Sequence, residues 1–176
     1  MHALAGEIGL TVEETGSAPS FDELVARHQQ RVLRTAYRLL GRVEDAQDAA
    51  QEVFLRLLRN LHRIDGDPQA WLYRVTVNVC NDHFRRLTIL PADAPRDCSD
   101  PGPGPDDLLE LEERRRLLMQ GLQTLPERER AAVVLRDIEG LPTRHVAAIL
   151  GVEEVTVRTQ ISMARLKLAK YVRKMS

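Results

Sequence analysis

Trp71, Arg74, Asn78, Asp82 and Arg85 recur at steps of three and four, so on a helix they share one stripe. An aromatic ring, guanidinium groups and an amide in a row suit single-stranded nucleic acid. Bases stack on the ring, cations meet phosphates, and the amide contacts a base edge. The same spacing also describes a core-anchoring tryptophan beside an Asp82 paired with Arg85 or Arg86, which is the commoner arrangement in helical proteins. A second set lies near the C-terminus: Thr156, Arg158, Thr159, Gln160, Ser162, Met163, Arg165 and Lys167. These positions flank or oppose an apolar face of Val157, Ile161, Ala164 and Leu168. Hydroxyl, amide and cationic groups on a helix surface can contact base edges and phosphates in the DNA major groove.

Other constellations are poorer. Cys80-Asn81-Asp82-His83 has a Cys-x-x-His spacing, but no second ligand pair follows it, so these are expected to be ordinary helix residues and no metal site is expected. There is no glycine-rich phosphate loop and no nucleophile beside a base at a recognisable spacing. Neither an enzyme nor a cofactor is therefore expected.

The elements that must position these groups are all helices, because no alternating strand pattern occurs. Before the C-terminal set, Val146, Ala147, Ile149 and Leu150 form an apolar side, and Gly151 stands where a left-handed helix cap is needed. Together these two helices make a helix-turn-helix, whose second helix suits the major groove. Two amphipathic helices joined by a glycine also occur as plain structure, so the pattern alone leaves both readings open.

Charge divides the chain. The net charge is −1, yet residues 21–87 carry 11 basic and 9 acidic groups, 88–113 carry 1 and 8, and 114–176 carry 13 and 6. Two basic blocks about an acidic connector suggest two modules that both meet polyanions. A soluble linker between solvated helix faces would look the same. Residues 88–107 hold Pro91, Pro95, Pro101, Pro103 and Pro105 among many aspartates, a composition that predicts an extended linker and a domain boundary.

Residues 1–19 lack a sustained period and are expected to be a mobile tail. Ser20 and Glu23 form a capping box, after which Phe21, Val25, His28, Val32, Ala36 and Leu39 mark a first inward face that Gly41 closes. A second helix spans about 44–60, with Ala46, Ala50, Val53 and Leu57 inward and Asp45, Asp48, Gln51, Glu52, Leu55 and Arg59 outward. Leu55 among those charges hints at a partner surface, although single exposed leucines are ordinary. The loop 61–68 precedes a third helix in which Leu72, Val75, Val79 and His83 or Phe84 face a core. In the C-terminal block, Leu108, Leu111, Arg115, Leu118, Leu122 and Leu125 recur at helical intervals. Thr124 is expected to cap a further helix over 126–139 that buries Val133, Val134 and Ile138. The fold expected is all-α: two small helical domains, 20–87 and 108–176, joined by an extended acidic Pro-rich linker.

No run of 18 apolar residues occurs, so no membrane insertion is expected. The opening lacks a basic secretory signal, and two unpatterned cysteines suit a reducing, cytoplasmic setting.

The order of short motifs resembles that of the extracytoplasmic-function (ECF) sigma factors of bacterial RNA polymerase. The carriers are Asp45-Ala46-x-Asp48-x-x-Gln51-Glu52-Val53-Phe54, Ala70-Trp71-Leu72-Tyr73-Arg74, Asn78, Asp82-His83-x-Arg85-Arg86, Leu125-Pro126-Glu127-Arg128 and the helix-turn-helix. The resemblance spans residues 20–174. It implies that 20–87 binds core RNA polymerase and the promoter −10 element, with Asp48, Gln51, Glu52 and Leu55 docking on the polymerase. His62, Arg63, Trp71, Arg74, Asn78, Asp82 and Arg85 would capture melted −10 DNA. The C-terminal set Thr156, Arg158, Thr159, Gln160, Ser162, Met163, Arg165 and Lys167 would contact the −35 element. An anti-sigma factor is a further implied partner. The chain departs from the family pattern at Pro142, His145, Glu153, Val155, Gln160 and Met163, which implies weaker or altered −35 binding. Two other readings are a sigma-like mimic that sequesters an anti-sigma protein and a stand-alone helix-turn-helix regulator. Co-purification with core polymerase separates them.

Overall fold

The computed structural model describes residues 19–89 and 107–175. The expected tail and most of the expected linker lie outside the described residues. Seven α-helices follow in order among those described: α1 (Phe21–Leu40), α2 (Val43–Asn60), α3 (Pro68–Ile89), α4 (Asp107–Gln123), α5 (Glu127–Val133), α6 (Thr143–Leu150) and α7 (Glu154–Met175). A 3-10 turn (Leu61–Arg63) follows α2, and a π turn (Val134–Ile138) extends α5. No strand occurs among the described residues.

Local chemistry sets the helix ends. The Glu23 N–H donates to Ser20 Oγ at 3.3 Å and the Ser20 N–H donates to Glu23 Oε2 at 2.9 Å, completing the capping box of α1. Gly41 (φ 79°) and Gly151 (φ 66°) end α1 and α6 in the left-handed region that a side chain disfavours. The expected Thr124 cap does not form. Thr124 donates its hydroxyl to the Gly121 carbonyl instead, and α5 starts after Pro126 without a side-chain cap.

Helices α1, α2 and α3 pack on one another, and α7 packs on α4, α5 and α6. The buried side chains of both halves form one continuous cluster. Helix α3 touches α6, and α1 touches α4, α5 and the π turn. The two halves are therefore folded against each other.

That seam explains several departures from periodicity. Beyond the expected Leu72, Val75 and Val79, helix α3 also buries Tyr73, Thr76, Val77 and Cys80, because it is covered from more than one side. In α1 the buried residues are Leu24, His28, Val32, Thr35, Ala36, Leu39 and Leu40, with Leu24, Thr35 and Leu40 added to the expected row. Phe21 and Val25 are half-buried and wall an open groove. In α4, Leu111 and Leu118 are exposed rather than inward, and Ile138 is only half-buried.

Candidate nucleic-acid interface

Helix α3 carries the first candidate surface. Arg74, Asn78 and Arg85 are exposed, Asp82 is half-buried, and Trp71 is half-buried against the core. His62 and Arg63, in the 3-10 turn just before α3, are exposed as well. With the two halves closed, Arg74, Asn78 and Arg85 of this stripe stay exposed. Asp82 has no ion pair with Arg85 or Arg86, so the alternative pairing along the helix does not occur.

Helix α2 carries the second. Asp48, Gln51 and Leu55 are exposed and Glu52 is half-buried, its carboxylate paired with Arg56 at 2.7 Å. Leu58, which was not singled out from the sequence, joins Leu55 as a large exposed apolar side chain. Both border a groove of about 610 Å3 between α1 and α2, whose apolar walls include Phe21, Leu33 and Phe54. Asp45 does not face outward as expected. Its carboxylate meets His83 Nε2 at 3.2 Å, tying α2 to α3.

Helix α7 carries the third. Thr156, Arg158, Thr159, Ser162, Met163 and Arg165 are exposed, while Gln160 and Lys167 are half-buried. Several of these groups are engaged within the protein. Thr159 and Ser162 donate their hydroxyls to the Val155 and Arg158 carbonyls, and Arg158 pairs with Glu154 one turn back. Arg165 makes a two-pronged pair with Asp137 at 2.7 and 2.8 Å. Lys167 reaches Glu129 at 2.8 Å. The Gln160 Oε1 atom is buried with no hydrogen-bond partner, so its amide is turned partly inward. Val155 and Met163 stand well exposed on the same helix.

Two polar hubs at the seam were invisible in the sequence. The carboxylate of Glu139 accepts from Thr35 Oγ1 at 2.9 Å, Arg38 Nη1 at 2.6 Å and Tyr73 OH at 3.0 Å. Burial, then the negative charge of Glu139, pushes the Tyr73 hydroxyl far above its ordinary pKa. Buried Arg130 donates to the carbonyls of Leu39, Gln123 and Leu125, and its guanidinium lies 4.6 Å from the Phe84 ring centroid. Both hubs join residues far apart in the chain, so no local spacing marks them.

Comparison with known proteins assigns both halves. The family model for sigma-70 region 2 matches residues 24–88, and that for sigma-70 region 4 matches residues 115–168. The ECF RNA polymerase sigma factor SigE of Mycolicibacterium smegmatis is 39% identical over 169 residues, covering 93% of this chain, which spans 65% of that relative's length. The ECF RNA polymerase sigma factor SigM of Mycobacterium tuberculosis is 36% identical over 164 residues, covering 92% of this chain and 81% of SigM. Among solved structures, the sigma factor RpoE of Bartonella quintana, in complex with the anti-sigma factor NepR, superposes with a TM-score of 0.71. That match covers 87% of this chain and 96% of RpoE at 18% identity, and it shows a shared fold. With both regions present in order, and with SigM matched over most of its length, the chain belongs to the ECF RNA polymerase sigma factors of the sigma-70 family.

Proposed function

We propose that this chain binds core RNA polymerase in the cytoplasm and directs it to specific promoters, carrying no catalytic group of its own. The observation that carries this reading is the groove between α1 and α2. It is apolar, open to solvent, and edged by Gln51 and Leu55, two of the residues that the family resemblance assigns to polymerase docking. An amphipathic helical surface of a partner can fill such a groove. The exposed stripe from His62 to Arg85 holds the non-template strand of the −10 element, with Trp71 as stacking surface and Arg74 and Arg85 on phosphates. Helix α7 enters the major groove of the −35 element, where Arg158 and Arg165 meet phosphates or bases. Each contact is weak by itself. Polymerase holds the two DNA-reading halves at one spacing, so the second engages at high effective concentration.

No helix among the described residues is long and apolar enough to cross a membrane. An anti-sigma factor is a further partner, as NepR is for the fold neighbour RpoE. It would compete for the same α1–α2 groove.

The test is co-purification of the chain with core polymerase, followed by run-off transcription from a promoter selected out of a random pool. Core binding that falls at least tenfold in a Leu55→Asp, Leu58→Asp variant supports the reading. A folded chain that leaves core polymerase untouched sinks it, and binding to an anti-sigma protein alone would favour the mimic.

A further inference from the structure

The seam contains a cleft to which none of the interfaces above lays claim. Arg27, Arg31, Arg34 and Arg38 follow one another along α1 at steps of four, three and four, so they share one face over three turns. They line a polar cavity of about 420 Å3 together with Gln69, Tyr73 and Glu139. A second cavity of about 420 Å3 continues past Arg34, Arg38 and Ile138, which line both. There the wall is Arg115 of α4 together with Tyr37, Leu118, Met119 and Leu122. One half of the cleft is thus cationic, and the other adds an aromatic ring and several apolar side chains to a single further cation.

The charge in this cleft is unbalanced. Five guanidinium groups line it against one carboxylate, Glu139. Arg38 alone of the five takes part in an ion pair among the described residues. Glu139 already answers three donors and is only 8% exposed, so it has little left for the other four. Solvated arginines are ordinary on a convex helix face. Here they converge in a concavity at the junction of two domains, where small-molecule sites concentrate.

We propose that this cleft is a binding site for a small organic polyphosphate, of the nucleoside polyphosphate class, that bridges the two halves. Guanidinium groups bind phosphate oxygens through paired N–H donors, and a row spaced along a helix matches a chain of phosphates. The heterocycle lies in the second cavity, against the Tyr37 ring and the adaptable side chains of Met119 and Leu118. An acidic peptide would use the arginines but not the apolar half. Because α1 and α4 both contribute, the complete site exists only while the halves are closed. Ligand therefore shifts the population toward the closed arrangement and away from any partner that must separate them.

Calorimetric titration of the full chain with adenosine triphosphate and Mg2+ tests this, with inorganic triphosphate and adenosine as parallel arms. It needs neither polymerase nor promoter, so its outcome is separate from that of the proposed function. The expected result is saturable one-to-one binding, with inorganic triphosphate roughly tenfold weaker because the apolar contact is missing. Arg34→Ala and Arg115→Ala each weaken binding by roughly tenfold, whereas Arg128→Ala, an exposed change outside the cleft, does not. All three side chains are exposed, and matched thermal melts confirm folding. Equal affinity for triphosphate and nucleotide overturns the two-part site. Binding indifferent to Arg34 and Arg115, or none up to about 1 mM, overturns the proposal outright.

Discussion

Arg38 and Glu139 stand 101 residues apart in the chain and meet at 2.6 Å, joining the first helix to the residue that ends the π turn of the C-terminal half. Thr35 and Tyr73 complete the same carboxylate, so three donors from the N-terminal half converge on one acceptor. Hydrogen bonds to a charged group are stronger than neutral ones, and a half-stripped set leaves buried donors unsatisfied.

Glu139→Ala is therefore expected to loosen the seam. Stability should fall by about 2–3 kcal/mol, read from urea denaturation. The radius of gyration from X-ray scattering should rise as the halves part. An unchanged scattering profile with full stability would mean that the apolar contacts alone hold the closure.

His28 predicts a pH dependence. Burial, then Arg31 and Arg27, lowers its pKa below the ordinary 6.5, against a smaller opposing pull from Asp67. The unfolded chain then binds the proton more readily than the folded one. The stability from neutral His28 is complete above about pH 6.5 and is lost as pH falls below it toward the depressed folded value. The urea midpoint should drop between pH 7.5 and about 5.5, and His28→Gln should flatten that part of the profile.

Cys80 should behave as an inert thiol. It is fully buried, and burial pushes its pKa up to about 12, so almost no thiolate exists near neutral pH. In a Cys98→Ser background, a disulfide reagent at pH 8 should label Cys80 only as fast as the protein unfolds. Rapid labelling of the native chain would show that α3 opens locally.

On the proposed reading of α7 as the −35 reader, the pair between Arg165 and Asp137 competes with DNA for the same guanidinium. Asp137→Asn should free Arg165, tighten −35 duplex binding by roughly three- to tenfold at low salt, and steepen the salt dependence by about one phosphate contact. Arg165→Ala should act in the opposite direction. Equal affinity in both variants would place Arg165 outside the DNA contact.

Adding cations at Gln160 and Met163 tests the proposed −35 surface. Met163 is exposed and Gln160 half-buried, so Met163→Arg should yield most of the gain in a Gln160→Arg, Met163→Arg variant. Each new phosphate contact should raise affinity severalfold at low salt. Absence of any gain would show that these positions lie away from the DNA backbone.

Much of this protein was legible in the residue order because the forces concerned are local. Ser20 with Glu23, Gly41 and Gly151 define helix ends within a few residues, and the Ala46, Ala50, Val53, Leu57 row defines an inward face by period alone. Outward positions such as Leu55, Arg74 and Asn78 follow from the same periodicity. The Thr124 cap failed because α5 starts only after Pro126, which leaves Thr124 outside the cap position, and its hydroxyl donates to the Gly121 carbonyl. Only the tertiary structure decided the closing of one half on the other, the inward turn of Asp45 to His83, the convergence on Glu139 and the capture of Arg165 by Asp137. Such contacts depend on where distant helices come to rest, and an isolated helix carries no period that encodes its neighbour's position.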